Sequence, residues 1–117
     1  MTLIYIASPY SHPDPAVRQK RYEDVSAYTA KRMMEGAVVY SPIAFNHPLS
    51  VRYEMPTDWV FWKHFDCRMI DKCDAMEVLM LDGWDTSVGV SAGQQIFVWV
   101  YGFNNALGVY NLGVNLT

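Results

Sequence analysis

Three short apolar runs, each cut off by a polar turn, constrain this chain more than any other feature. "LIYIAS" (3–8), "AVVYSP" (37–42) and "AMEVLML" (75–81) are mostly hydrophobic segments of strand length. A run as short and apolar as the first fits a strand buried on both faces, and the other two read as strands of the same sheet. Longer amphipathic stretches lie between them. Asp14 followed by Pro15 is a helix start, an N-cap with proline at the first helical position, and Gly36 ends that helix as a C-cap. Val17, Tyr22, Val25, Tyr28 and Met33 would make its apolar stripe. Asp58 can cap a second helical stretch, "WVFWKHFDCRMIDKC" (59–73). A further helix is expected from about Ser87, with Gly102 as its end and "ALGVYNL" (106–112) as a last strand. "IAFNHPLSVRYEMP" (43–56) carries two prolines and no clean periodicity, so it reads as a long loop, a kind that is usually functional in a compact domain.

The order β-α-β-loop-α-β-α-β is that of a doubly wound α/β domain. The expectation is one domain over residues 1–117, with a mostly parallel sheet of four to five strands and helices on both faces, flavodoxin- or Rossmann-like. Ligands of such sheets bind outside the carboxyl ends of the strands. Here those ends are Ser8-Pro9-Tyr10, Ser41-Pro42 and Asp82-Gly83-Trp84, all polar and turn-forming.

Composition narrows the function. A net charge of −3 gives no basic footprint for duplex nucleic acid. Cys67 and Cys73 lie six apart in one helical stretch, a spacing that suits neither a zinc site nor a disulfide scaffold, so a reducing cytoplasm is expected. "MTLIYIASPY" has no basic start and too short an apolar run for a signal peptide or membrane span. The chain is 51% hydrophobic, which for 117 residues points to a dense core and to a homodimer or higher homo-oligomer. Beyond Asp85 there is no charged side chain, and the segment 93–117 stands apart from the rest in this respect.

Among residues that could carry chemistry, Asp82, Asp85 and Ser87 surround the start of the expected last helix, where free N–H groups and the dipole favour an anion. The hydroxyl of Ser87 with the backbone of Val88 and Gly89 suits a phosphate; the plainer alternative is that Ser87 or Thr86 only caps the helix. Asp66 is either solvated or aimed into the cleft. His12 and His47 each precede a proline and read as hydrogen-bonding loop residues. No metal-ligand spacing, dinucleotide fingerprint, Walker motif or nucleophile elbow is present, so no metal or cofactor is expected.

Several pieces together resemble one superfamily. "IYIASPY" before an arginine-bearing helix (Arg18, Arg21), "SPI" after the second strand, Asp66 and Asp74 eight apart, and "SVGVSA" after the third strand are similar to the nucleoside 2-deoxyribosyltransferases. The match is closer to their relatives, the 2'-deoxynucleoside 5'-monophosphate N-glycosidases, and closest to an uncharacterised phage and bacterial branch. The likeness runs over roughly residues 3–92. It implies cleavage of a glycosidic bond through an oxocarbenium-like transition state on a small-molecule deoxynucleotide, with no cofactor, and a site completed by a neighbouring subunit. By this resemblance Tyr5 lies near the catalytic carboxylate, and Asp66 approaches the substrate. Ser8, Pro9 and Tyr10 wall the sugar or base, and Ser87 takes the 5'-phosphate. Arg18, Ser41, Asp82, Gly83, Trp84 and Gly89 complete the substrate-binding set.

The family pattern reads S-x-G-x-x-x-E, with the glutamate as nucleophile; here Ser87 and Gly89 stand in place and position 93 is glycine. Loss of a covalent nucleophile costs orders of magnitude in rate. Two expectations stay open. One is a nucleotide N-glycosidase or transferase in which Asp66 or Asp85 substitutes for the glutamate; the other is a nucleotide-binding protein without its chemistry. A purely structural protein with an assembly tail is a third, supported only by composition.

Overall fold

Asp74 pins the start of the strand that follows it to the start of the first strand. Its carboxylate accepts from the N–H of Leu3 at 2.8 Å, and its own N–H donates to the Leu3 carbonyl at 2.7 Å. Two strands far apart in sequence therefore start side by side. The computed structural model describes residues 1–93 and the backbone of 112–114. Strands β1 (Leu3–Ala7), β2 (Val38–Tyr40) and β3 (Ala75–Leu79) form a parallel sheet in the order β2-β1-β3, with Tyr5 opposite Tyr40 on one side and Met76 on the other. The backbone of β4 (Leu112–Val114) runs parallel beside β3. Expected residues 94–111, including Gly102 and most of the last strand at 106–112, lie outside the described residues.

Helix α1 (Pro15–Met34) begins as the sequence dictates. The Asp14 carboxylate accepts from the Ala16 N–H, Pro15 occupies the first turn, and Gly36 takes φ +89° just past the end. α3 (Trp59–Lys72) is capped by Asp58, whose carboxylate accepts from the Phe61 N–H. The predicted stripe of α1 needs one correction, since Met33 is 55% exposed while Val25 and Tyr28 are buried.

The larger correction is at 43–56. That segment is helix α2 (Pro42–Tyr53), not a loop. Ser41 caps it by accepting from the Ala44 N–H, and Pro42 stands in the first turn. This is the same Asx/Ser-then-proline start that marks α1. Pro48 hid it, because an interior proline removes one helical hydrogen bond and reads as a breaker. The helix tolerates that loss and stops at Glu54, which has φ +52°.

Strand alternation divides the core into two. Ile6, Val39 and Leu79 point to the face covered by α1, where they meet Val25 and Tyr28. Tyr5, Ala7, Met76 and Val78 point to the opposite face and meet Ile70 and Cys73 of α3 and Val90 of a helical turn at 88–93. On the α1 face one β3 residue is charged. Glu77 is buried, and its carboxylate takes Arg32 Nε at 3.2 Å, Arg32 Nη2 at 2.8 Å and the hydroxyl of Tyr28. Both partners lie on α1, so this network fastens the helix to the sheet.

Removing one member of such a pair leaves a buried charge without compensation, a loss that runs to about 3–5 kcal/mol in buried settings. Arg32→Met is expected to lower stability by about 3 kcal/mol, the lower end because Arg32 is itself partly open to water. Urea unfolding followed by far-UV circular dichroism measures it.

Candidate active site

The sheet order places a crevice where chain direction diverges. β1 connects to β2 on one side while β3 lies on the other, and ligands of open α/β sheets sit outside the carboxyl ends at that point. A cavity of about 320 Å³ opens there, within the size range of small-molecule sites. Its floor is Tyr5, Ala7 and Ser8 from the end of β1. One wall is α2 through Asn46, His47 and Ser50, and the facing wall is α3 through Trp59, Trp62 and Asp66. Gly83 and residues Thr86 to Val90 close the remaining side.

Asp66 is the group with the most unusual surroundings. It is only 9% exposed, and its Oδ1 has no hydrogen-bond partner among the described residues. Burial pushes its carboxyl up to about 7, so near neutral pH it is held between acid and carboxylate. Tyr5 lies against it; burial, and then the Asp66 charge, raise the phenol well above its usual range. Burial and Asp66 raise Tyr40 as well, and among the described residues the Tyr40 hydroxyl is also without a partner. Ser8 Oγ and Asn46 Oδ1 are two further buried polar atoms in the cavity wall that no described residue satisfies. Buried polar atoms left open in this way cost stability and mark a place where something else is meant to pair with them.

The one arginine among the described lining residues, Arg21, is spent on backbone carbonyls. Arg21 spans two loops, donating to the carbonyls of Tyr10 (3.3 Å), Ser11 (3.1 Å) and Asp82 (3.1 Å). Gly83 has φ +88°, a left-handed conformation that favours glycine, and a Cβ there would lie 2.7 Å from Arg21 Nη2 and push the guanidinium off its carbonyls. Arg18 donates to the His12 carbonyl and does not line the cavity. Ser11 Oγ donates to the Thr57 carbonyl at 2.8 Å, and Trp62 Nε1 to the Pro56 carbonyl at 2.7 Å. His47 joins Tyr10 Oη (2.7 Å) to Gln19 Oε1 (2.9 Å) and stacks on Tyr22 at 4.4 Å. Burial and then Arg18 lower its pKa, so the ring is neutral at neutral pH.

The sequence-derived set divides cleanly. Tyr5, Ser8, Tyr10, Asp66, Gly83, Ser87 and Gly89 line the cavity. Pro9, Arg18, Ser41, Asp82, Trp84 and Gly93 do not. Ser41 is spent capping α2. Asp82 and Trp84 line a separate outer groove beside α1, and Trp84, at the start of the short 3-10 helix Trp84–Thr86, also packs against the core on the α3 face. A first side-chain carbon at Gly93 would meet Ile70 Cδ1 at 3.6 Å and Met76 Cε at 3.7 Å, so the position faces the apolar core rather than the cavity. Ser87 does cap, its Oγ accepting from the Val90 N–H at 3.2 Å. The Val88 and Gly89 N–H groups, at the start of that turn, have no acceptor within the helix.

Sequence reasoning missed Asn46, His47, Ser50, Trp59 and Trp62. The first three follow from the missed helix α2, whose Ser41-Pro42 start was the available signal. Among the described residues no group of three or more His, Cys, Asp or Glu could hold a metal.

A known family covers most of this architecture. The family described as Domain of unknown function (DUF1937) matches residues 2–101. The chain belongs to that family. The matched span takes in every element that lines the cavity. No curated protein matches the chain with significance. No helix among the described residues is long and apolar enough to cross a membrane.

The raised carboxyl of Asp66 makes a stability prediction of definite sign. Between about pH 4 and pH 7 the folded protein keeps a proton that the unfolded chain releases, so stability falls as pH rises through that window. Asp66→Asn removes the titration. The variant is expected to match the wild type near pH 4 and to exceed it at pH 8, by on the order of 4 kcal/mol. Chemical denaturation at both pH values checks it.

Proposed function

We infer that the cavity cleaves, or transfers across, the N-glycosidic bond of a 2'-deoxynucleoside 5'-monophosphate. The observation that carries this reading is Asp66: a buried carboxyl with one open oxygen, at a pKa near 7, between Tyr5 and the aromatic wall of Trp59 and Trp62. A group of that kind is suited to general acid work at neutral pH. It would give its proton to the departing base while the C–N bonding electrons leave with the base. The sugar would be left as an oxocarbenium ion, which the newly formed Asp66 carboxylate stabilises until water or a second base adds at the anomeric carbon. The indole rings offer flat faces for the base. Ser87 and the open N–H groups of Val88 and Gly89 offer hydrogen bonds to the phosphate. A doubly wound sheet of four to five strands, a cytoplasmic setting and a homo-oligomer belong to the same reading. Exposed Phe45, Val51 and Tyr53 on α2 are in keeping with a partner subunit. Duplex nucleic acid and membranes are not among its partners.

A second reading is favoured by position 93. Asp58 is the other carboxylate at the cavity, and it is engaged in capping α3. With glycine at 93, the pair of carboxylates normal to glycoside hydrolysis is not assembled from the described residues. On this reading the protein binds nucleotides without turning them over.

One experiment separates the two. The pure protein is incubated with the four deoxynucleoside monophosphates and a hydroxymethylated pyrimidine monophosphate, and free base is followed by chromatography. Base release that drops by about 10²- to 10⁴-fold in Asp66→Asn is the expected result. Saturable binding without release supports the binding reading. Absence of both release and binding defeats the nucleotide assignment altogether. Gly93→Glu, run in parallel, reports whether a carboxylate added on the core side can reach the sugar.

A further inference from the structure

Tyr10 sits at the cavity wall at the end of a chain of side-chain hydrogen bonds that has a direction. The chain starts on the outer surface of α1 at Glu23, whose carboxylate can only accept. Gln19 Nε2 lies 3.1 Å from Glu23 Oε2, which fixes the amide nitrogen outward and the amide oxygen inward. That oxygen lies 2.9 Å from His47 Nε2. An amide oxygen accepts, so Nε2 must carry the hydrogen. The imidazole is neutral, so Nδ1 is then a bare lone pair. Nδ1 lies 2.7 Å from Tyr10 Oη, and the phenol must donate to it. The opposite tautomer would turn the Gln19 oxygen against the Glu23 carboxylate, two acceptors facing each other.

We propose that this relay, Glu23–Gln19–His47–Tyr10, fixes the Tyr10 hydroxyl as an obligatory hydrogen-bond acceptor toward the cavity, so that Tyr10 recognises a hydroxyl of the ligand. The hydrogen of Tyr10 is spent on His47, so Oη meets any further group, a ligand or the Arg18 guanidinium beside it, only as an acceptor. His47 is thus a positioning residue that acts through Tyr10; stacking on Tyr22 holds its ring in plane. The consequence for orientation rests on the nucleotide reading given above. A 2'-deoxyribose with a 5'-phosphate keeps one free hydroxyl, at the 3' carbon, and that is the sugar donor available to Tyr10.

The test has two independent arms on the full chain. In the first, long-range proton–nitrogen NMR at pH 7.5 reads the tautomer of His47, assigned by loss of its signals in His47→Asn. The neutral form with the hydrogen on Nε2 supports the relay, and Tyr10→Phe is expected to shift the Nδ1 resonance. The Nδ1–H tautomer, or an imidazolium, overturns the proposal whatever the ligand. In the second arm, calorimetry compares thymidine 5'-monophosphate with its 3'-deoxy analogue. Tyr10→Phe is expected to weaken the first about tenfold and to leave the second unchanged. Equal weakening of both overturns the recognition of the hydroxyl. If neither nucleotide binds wild type, the nucleotide reading fails, and the tautomer alone decides whether Tyr10 is a fixed acceptor.

Discussion

The Glu77 carboxylate is the pivot of this fold. It lies inside the sheet on the face toward α1, where an unpaired charge could not stay, and both of its partners come from one helix. A purely apolar seam would let α1 slide or rotate by a residue with little penalty. The fork of Arg32 and the hydroxyl of Tyr28 accept one register only. That register is what presents Arg21 to the crevice, and Gln19 and Tyr22 to His47 in its wall, three to four turns earlier along the same helix. The charge in the core and the polar architecture at the rim are therefore ends of one rigid rod, joined by backbone hydrogen bonds.

Within the crevice, polarity is unevenly spent. Around the rim nearly every donor is matched, with arginines on carbonyls, Ser11 on Thr57 and Trp62 on Pro56. On the floor and inner walls the opposite holds, and Ser8, Asn46 and Asp66 each keep a buried atom without a partner among the described residues. A protein selected for stability alone would fill such positions with apolar side chains or pair them. The contrast between a saturated rim and an unsaturated floor separates the groups that hold the cavity open from those left for what enters it.

The sequence was legible where one local rule decided the outcome. The strands, the caps at Asp14 and Asp58, the end of α1 at Gly36 and the crevice outside the strand ends all follow from residue type and spacing. Tyr5, Ser8, Tyr10, Asp66 and Ser87 were reached because they flank those ends or share the resemblance. Illegible parts had two rules in conflict or depended on distant contacts. Pro48 outweighed the Ser41-Pro42 start of α2, and with α2 went Asn46, His47 and Ser50. Asp82 and Trp84 look like site residues from their place after β3, yet they line the outer groove beside α1. Glu77, a charge in an apolar run, gives no local hint that its partners lie 45 and 49 residues earlier.

The bridge made by Arg21 ties two sides of the crevice together. Loops around residues 10–11 and 82–83 share one guanidinium, so a displacement of either loop strains hydrogen bonds that also hold the other. A change at this single side chain is therefore felt at both edges of the cavity at once.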